Sequence, residues 1–149
     1  MTDASMSDPS VFSLILAGQI PGHFVWRDEH VAAIMTIGPI KPGHCLVLPI
    51  RQIDHWLDVP ADLWSRINLV AQEIGRAQME VLQPTRVALI VAGLEVPHCH
   101  LHVIPIDRES DLSFANAASS VDHAELADIA RRLRERLVAH GHAEAAGLD

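Results

Sequence analysis

Basic charge, long apolar runs and cysteine are all in short supply in this chain. Eleven Lys and Arg face nineteen Asp and Glu across 149 residues, a formal net charge of -8. The sequence therefore lacks the basic footprint that binding a nucleic-acid backbone requires, and no nucleic-acid partner is expected. A single phosphate needs only a local set of donors, so a small phosphorylated ligand stays open. The longest apolar run, Val87 to Leu94, is too short to span a bilayer, and Met1 to Ser10 is polar and acidic with no signal-peptide core. No membrane partner and a cytoplasmic location are the expectation. The two cysteines, Cys45 and Cys99, each lie in an apolar β-like run, where free cysteine behaves as a small hydrophobe rather than a disulfide partner or catalytic thiol.

What the chain has instead is histidine, ten in all. Three of them fall in Val96-Pro97-His98-Cys99-His100-Leu101-His102-Val103-Ile104-Pro105, two residues apart with apolar or small residues between. That is the period of a β-strand, so the three imidazoles share one face, while Cys99, Leu101 and Val103 point the other way into the core. Three uncompensated polar rings on a core strand are expensive without a use. A strand rises about 3.3 Å per residue, so the rings stand roughly 6 to 7 Å apart at their roots.

The length suits one domain that buries most of its apolar surface. Residues 1–10 read as a flexible tail, 11–140 as one domain, and 141–149 as an acidic, Ala-rich tail exposed to solvent together with His140 and His142. Val11 to Leu16 is a short helix stopped by Gly18, Pro21 and Gly22. His23 to Trp26 and Val31 to Ile37 form a hairpin around Arg27 to His30. Two prolines stiffen the turn into the apolar run Cys45 to Pro49, a strand buried on both faces or one packed against a helix. From Pro60, Leu63, Ile67, Val70, Ile74, Ala77 and Val81 make one helical stripe. Trp56 and Trp64 pack near its start. Pro84 ends it, and Val87 to Ala92 reads as a buried strand. Gly93 to Pro97 is short enough to make that strand the antiparallel neighbour of the histidine strand, 98–105. Arg108 to Ser120 has no period and reads as a loop. Asp122 and Glu125 resemble a capping box that opens a helix over about 122–140, with Leu126, Ile129, Leu133 and Leu137 as its stripe and Gly141 as its stop. The fold class is α+β, a mainly antiparallel sheet of about five strands covered by two main helices.

Two chemistries fit three histidines on a strand. Neutral imidazoles can ligate a divalent metal, but three rings on one straight strand converge poorly on an ion that needs nitrogens about 2.0 to 2.1 Å away. Alternatively, one imidazole is a nucleophile toward phosphorus, with its neighbours donating to phosphoryl oxygens and assisting the leaving group. Arg51, Asp54 and His55 read as a solvated loop beyond the Cys45 to Pro49 strand.

His98-Cys99-His100-Leu101-His102-Val103-Ile104 resembles the signature of the histidine triad, or HIT, family, His-φ-His-φ-His-φ-φ with φ apolar. Val11-Phe12, Gly18-Gln19-Ile20-Pro21, Pro42-Gly43-His44, Leu46-Val47-Leu48-Pro49 and Pro105 follow in the family's order. The resemblance covers about Val11 to Ile106. It implies a HIT-like domain, a homodimer in which two sheets join, and a nucleotide hydrolase or nucleotidyl transferase that cleaves at the α-phosphate of a purine nucleotide derivative, such as a nucleoside phosphoramidate or dinucleoside polyphosphate. By the same resemblance His100 is the nucleophile, His102 contacts phosphate and assists the leaving group, His98 orients the set and His44 supports it. No cofactor is implied.

The chain departs from that pattern at several places. Gly93-Leu94-Glu95 stands where members commonly have Gly-Gln-Ser/Thr. Either Glu95 faces away, or it reads a cationic or amine leaving group, or phosphate affinity is low. Thr36 stands where an acidic residue often binds ribose. Some bacterial members hold structural zinc with Cys-x-x-Cys and a downstream histidine. Ser10, Ser13 and Gln52 occupy the matching positions, so no zinc is expected. A non-catalytic nucleotide-binding module and a histidine metal site are the alternatives.

Overall fold

Along the central strands side chains alternate between two faces, and this positions the histidines. In the computed structural model, which describes residues 8–148, five strands lie in the order β1-β2-β3-β5-β4, each antiparallel to its neighbour. They are β1 (Phe24–Arg27), β2 (Val31–Met35), β3 (Cys45–Pro49), β4 (Arg86–Val91) and β5 (Leu101–Ile106). Three helices accompany them: α1 (Val11–Leu16), α2 (Ala61–Leu82) and α3 (His123–Ala139).

On one face Val31, Ala33, Met35, Cys45, Val47, Leu101 and Val103 join Ile67, Val70, Ile74 and Ala77 of α2 and Leu126, Ile129, Leu133 and Leu137 of α3 in a single apolar core. The two main helices therefore cover the same side, and their stripes are those the spacing predicts. The opposite face holds two smaller clusters. Phe12 of α1 packs with Ile34, Leu46 and Leu48, and Ile40 packs with Ile104 and Ile106. His102 lies between them, opposite Leu46 of β3 on one side and Ile90 of β4 on the other. One polar side chain is sealed in the helix-covered region: Gln78 of α2, which donates to the carbonyls of Gly43 and Val103 at 2.9 and 3.0 Å.

Four expectations need correction. The histidine strand begins at Leu101 rather than His98, because β3 pairs with β5 only over Leu101 to Val103 and the Cys99 amide turns aside to donate to the Ile53 carbonyl at 2.6 Å. The parity of side chains nevertheless runs through Cys99, which stays in the helix-side core. The run Val87 to Ala92 is not buried. Its strand, β4, is one of the two sheet edges and has a half-exposed pattern, and Leu89 is 53% exposed. An apolar run looks alike in an edge and a central strand. The C-terminal tail is not simply solvated. It makes a 3-10 turn at Ala143–Ala145 that buries Ala145, and His142 lies against the Trp26 ring and bonds Glu73 of α2 at 3.1 Å. Of the N-terminal tail, residues 1–7 lie outside the described residues, and Ser10 is buried.

The remaining features follow local rules. Asp122 caps α3 by accepting from the Ala124 amide at 2.9 Å. The 108–120 segment carries 3-10 turns at Glu109–Asp111 and Phe114–Asn116. Trp56 stacks on Trp64 with ring centroids 5.5 Å apart at the start of α2, and Arg51, Asp54 and His55 are exposed.

Candidate functional site

The site is four histidines whose hydrogen bonds fix which ring nitrogen carries a proton. His98 and His44 are 0% and 1% exposed, while His100 and His102 each keep 8%. Only the latter two rings reach the solvent side.

Ile40 N–H has only one role available, that of donor. It points at His44 Nδ1 at 3.1 Å, so Nδ1 accepts and the His44 proton sits on Nε2. His44 Nε2 in turn lies 2.9 Å from His102 Nδ1, so it donates there. His102 must then carry its own proton on Nε2. A second chain of the same kind runs through the other two rings. His98 Nε2 faces the Pro49 carbonyl at 2.7 Å, and a carbonyl only accepts, so Nε2 is protonated and Nδ1 accepts from the Ser10 hydroxyl at 2.7 Å. His100 Nδ1 lies 2.8 Å from the His98 carbonyl and donates to it, which leaves His100 Nε2 as a bare lone pair. The site thus offers one nucleophilic nitrogen beside one N–H donor, on rings whose centroids are 4.9 Å apart.

Burial keeps these rings neutral. It is the largest influence on all four and pushes each below the ordinary histidine value, His44 to about 3 and His102 to about 4. The neighbouring rings push His44 and His102 further in the same direction. His100 is pulled back up by its bond to the His98 carbonyl and by the charge of Glu95. Glu95 is exposed, and its negative charge acts on His100 in the raising direction.

The other residues singled out in the sequence are scattered around this centre. Gly93 turns the chain from β4 toward the histidines at φ +78°, a conformation that favours glycine. Leu94 projects into solvent at 95% exposure. Thr36 uses its hydroxyl locally, accepting from the Gly38 amide at 3.1 Å. The cysteine thiols are buried and pushed up by that burial, to about 12 for Cys45 and about 11 for Cys99, so neither is a thiolate at neutral pH.

Aromatic rings complete the walls. Phe12 of α1 meets His100 edge to face at 4.9 Å and His98 at 5.7 Å. Phe114, from the 3-10 turn after β5, meets His102 at 5.1 Å and stays half exposed. Phe114 gave no signal in the sequence because its segment has no period. Ser10 and Gln52 were visible there only as residues in the place of metal ligands.

Those positions do come together. Gln52 Oε1 accepts from the Ser10 amide at 2.7 Å and from the Ser13 hydroxyl at 2.8 Å. Two hydroxyls and a carboxamide do not suit zinc, which takes thiolate, imidazole or carboxylate, and the one imidazole alongside has both nitrogens engaged. Among the described residues no three His, Cys, Asp or Glu side chains cluster so as to hold a metal ion.

A family model described as the HIT domain matches residues 17–109. An uncharacterized HIT-like protein of Mycobacterium tuberculosis is 32% identical over 134 residues, 87% of this chain and 93% of its own length. The protein named Hit of Bacillus subtilis is 32% identical over 100 residues, 64% of this chain and 69% of its own. Among solved structures, a zinc-bound histidine triad family protein of Mycobacterium smegmatis superposes with a TM-score of 0.74 at 28% identity, covering 90% of this chain and 96% of that one.

Proposed function

The chain belongs to the HIT family, and on that premise we propose that it is a nucleotide hydrolase or nucleotidyl transferase acting at the α-phosphate of a purine nucleotide derivative, of the nucleoside phosphoramidate or dinucleoside polyphosphate type. The observation that carries this reading is the hydrogen bond from His100 Nδ1 to the His98 carbonyl. It leaves the Nε2 lone pair of a neutral imidazole on the open side of the sheet, the form that attacks phosphorus at neutral pH.

In the first step the His100 Nε2 lone pair forms a bond to the α-phosphorus. The bond from phosphorus to the leaving group breaks, and the leaving group takes that electron pair, an amine also gaining a proton from solvent as it departs. The ring now carries positive charge, and the His98 carbonyl, already accepting from Nδ1, stabilises it. His102 Nε2–H, held in place by His44, donates a hydrogen bond to a phosphoryl oxygen or to the departing atom. In the second step water, or another acceptor in a transferase, bonds to phosphorus. The P–N bond breaks and its electron pair returns to His100, which is neutral again, while the attacking group loses its proton to solvent.

The test is intact mass after brief, acid-free quenching with adenosine 5′-phosphoramidate. A nucleotidyl adduct on the native chain and release of AMP are expected, and His100→Asn should abolish both with the circular dichroism spectrum unchanged. Binding of AMP without turnover, equally strong in His100→Asn, would instead identify a binding module.

The family's paired-sheet homodimer has a surface to form on. β4 is a free edge, and Leu69 and Met79 of α2 lie exposed beside Leu89 of β4 along one groove. Sedimentation equilibrium should give twice the chain mass, and Leu89→Glu should shift it toward one chain; a monomeric native protein rules the dimer out.

A further inference from the structure

We propose that Ser10 is a positioning residue for the histidine site, part of a metal-free latch in which Ser10, Ser13 and Gln52 hold His98 and, through its carbonyl, the nucleophile His100. This rests on the reading of His100 as nucleophile.

The latch is a closed set of partners. The Ser10 oxygen accepts from the Ser13 amide at 3.0 Å, capping α1, and its hydroxyl proton has His98 Nδ1 at 2.7 Å. Ser13 Oγ lies farther away, at 3.3 Å, and turns its own proton to Gln52. The Gln52 carboxamide accepts from the Ser10 amide and the Ser13 hydroxyl, and its nitrogen donates to the Asp8 carbonyl at 3.0 Å. Gln52 follows β3, so the latch ties the start of α1 to the end of that strand. On its far side the His98 ring meets the Pro49 carbonyl, also at the end of β3. His98 is therefore gripped at both ring nitrogens, and its carbonyl receives the His100 Nδ1 proton. Phe12, between Ser10 and Ser13 in sequence, lies against both rings.

The chemistry explains why hydroxyls and an amide can do this without a metal. A fully buried imidazole needs one donor and one acceptor to stay neutral with a single tautomer. The Pro49 carbonyl is the acceptor and Ser10 the donor. Removing the hydroxyl leaves Nδ1 without a partner in a site from which solvent is excluded, and the ring is then free to rotate away from Pro49 or to change tautomer.

The experiment compares the full chain with Ser10→Ala and Ser10→Thr. Nitrogen-15 imidazole spectra report tautomers directly, and the His98 signals are identified by their loss in His98→Asn. The native chain and Ser10→Thr should show His98 as a single neutral tautomer protonated at Nε2, and Ser10→Ala should lose that pattern. The single-turnover rate of adduct formation should fall about tenfold in Ser10→Ala, the scale of one buried hydrogen bond, and recover in Ser10→Thr. Excess chelator should change neither readout. An unchanged His98 tautomer in Ser10→Ala overturns the proposal, as does a chelator-sensitive native spectrum or an equal loss in Ser10→Thr. If the native chain forms no adduct, the function reading fails while the tautomer spectra still decide whether Ser10 holds His98.

Discussion

The two faces of the sheet are built by different rules. The face under α2 and α3 is apolar side chains placed by periodicity, and its geometry tolerates a change of shape if volume is kept. The histidine face carries small apolar clusters around four buried polar rings, and its geometry is set by the direction of single hydrogen bonds. One fixed donor, Ile40 N–H, orders two rings in sequence, and one fixed acceptor, the Pro49 carbonyl, orders another. Stability resides chiefly in the first face and chemical identity in the second.

The largest expected effect tests the apolar face. Ile74 is completely buried in α2. Ile74→Ala removes three carbons from the middle of the core and should cost about 2 to 5 kcal/mol of unfolding free energy in urea. Below the melting transition the histidine tautomers and the adduct-forming rate should stay within about twofold of the native chain, since the change lies across the sheet from the rings. A loss of activity in the folded protein as large as the loss of stability would break the division between the faces.

The same division explains what was legible in the sequence. Periodicity reads any face that is sorted by polarity. It placed Cys99, Leu101 and Val103 against the helices and both helical stripes, while the short connection Gly93 to Pro97 gave the antiparallel pairing. Periodicity does not see sequence-distant partners. The Ser10 hydroxyl reaches His98 across 88 positions, and Phe114 meets His102 from a segment without any repeat. Nor does it tell an edge from a centre, which is why β4 reads as buried from its residues alone. The start of β5 departs from the pattern for a related reason. Alternation of side chains continues through an extended segment that has no strand beside it, so the pattern runs on to His98 while the ladder stops at Leu101.

Acid separates the faces without any mutation. An apolar core has no proton to gain, whereas the four rings are neutral when folded and free to charge when unfolded. Each has a folded value below its ordinary 6.5, chiefly because of burial. Their contribution is therefore fully present from about pH 7.5 upward, where both states are neutral. It is lost as pH falls below 6.5, because the unfolded chain binds protons that the folded one refuses. The loss continues until the folded rings charge, at about 4 for His102 and about 3 for His44. The slope is about 1.4 kcal/mol per pH unit for each histidine, so His44 and His102 should each remove up to about 2 kcal/mol by pH 5. The depressed carboxylates, Asp28, Asp107, Asp111 and Glu80, titrate from 3.8 to 4.5 downward, outside the range between pH 6.5 and 5. His23, also lowered by burial, adds to the slope in the same direction. Urea unfolding at pH 8.5, 7.5 and 5 should give a plateau and then a fall. A level profile would mean that the rings bind protons in the folded protein as readily as in the unfolded chain, and a charged His44 or His102 would break the proton order derived from Ile40.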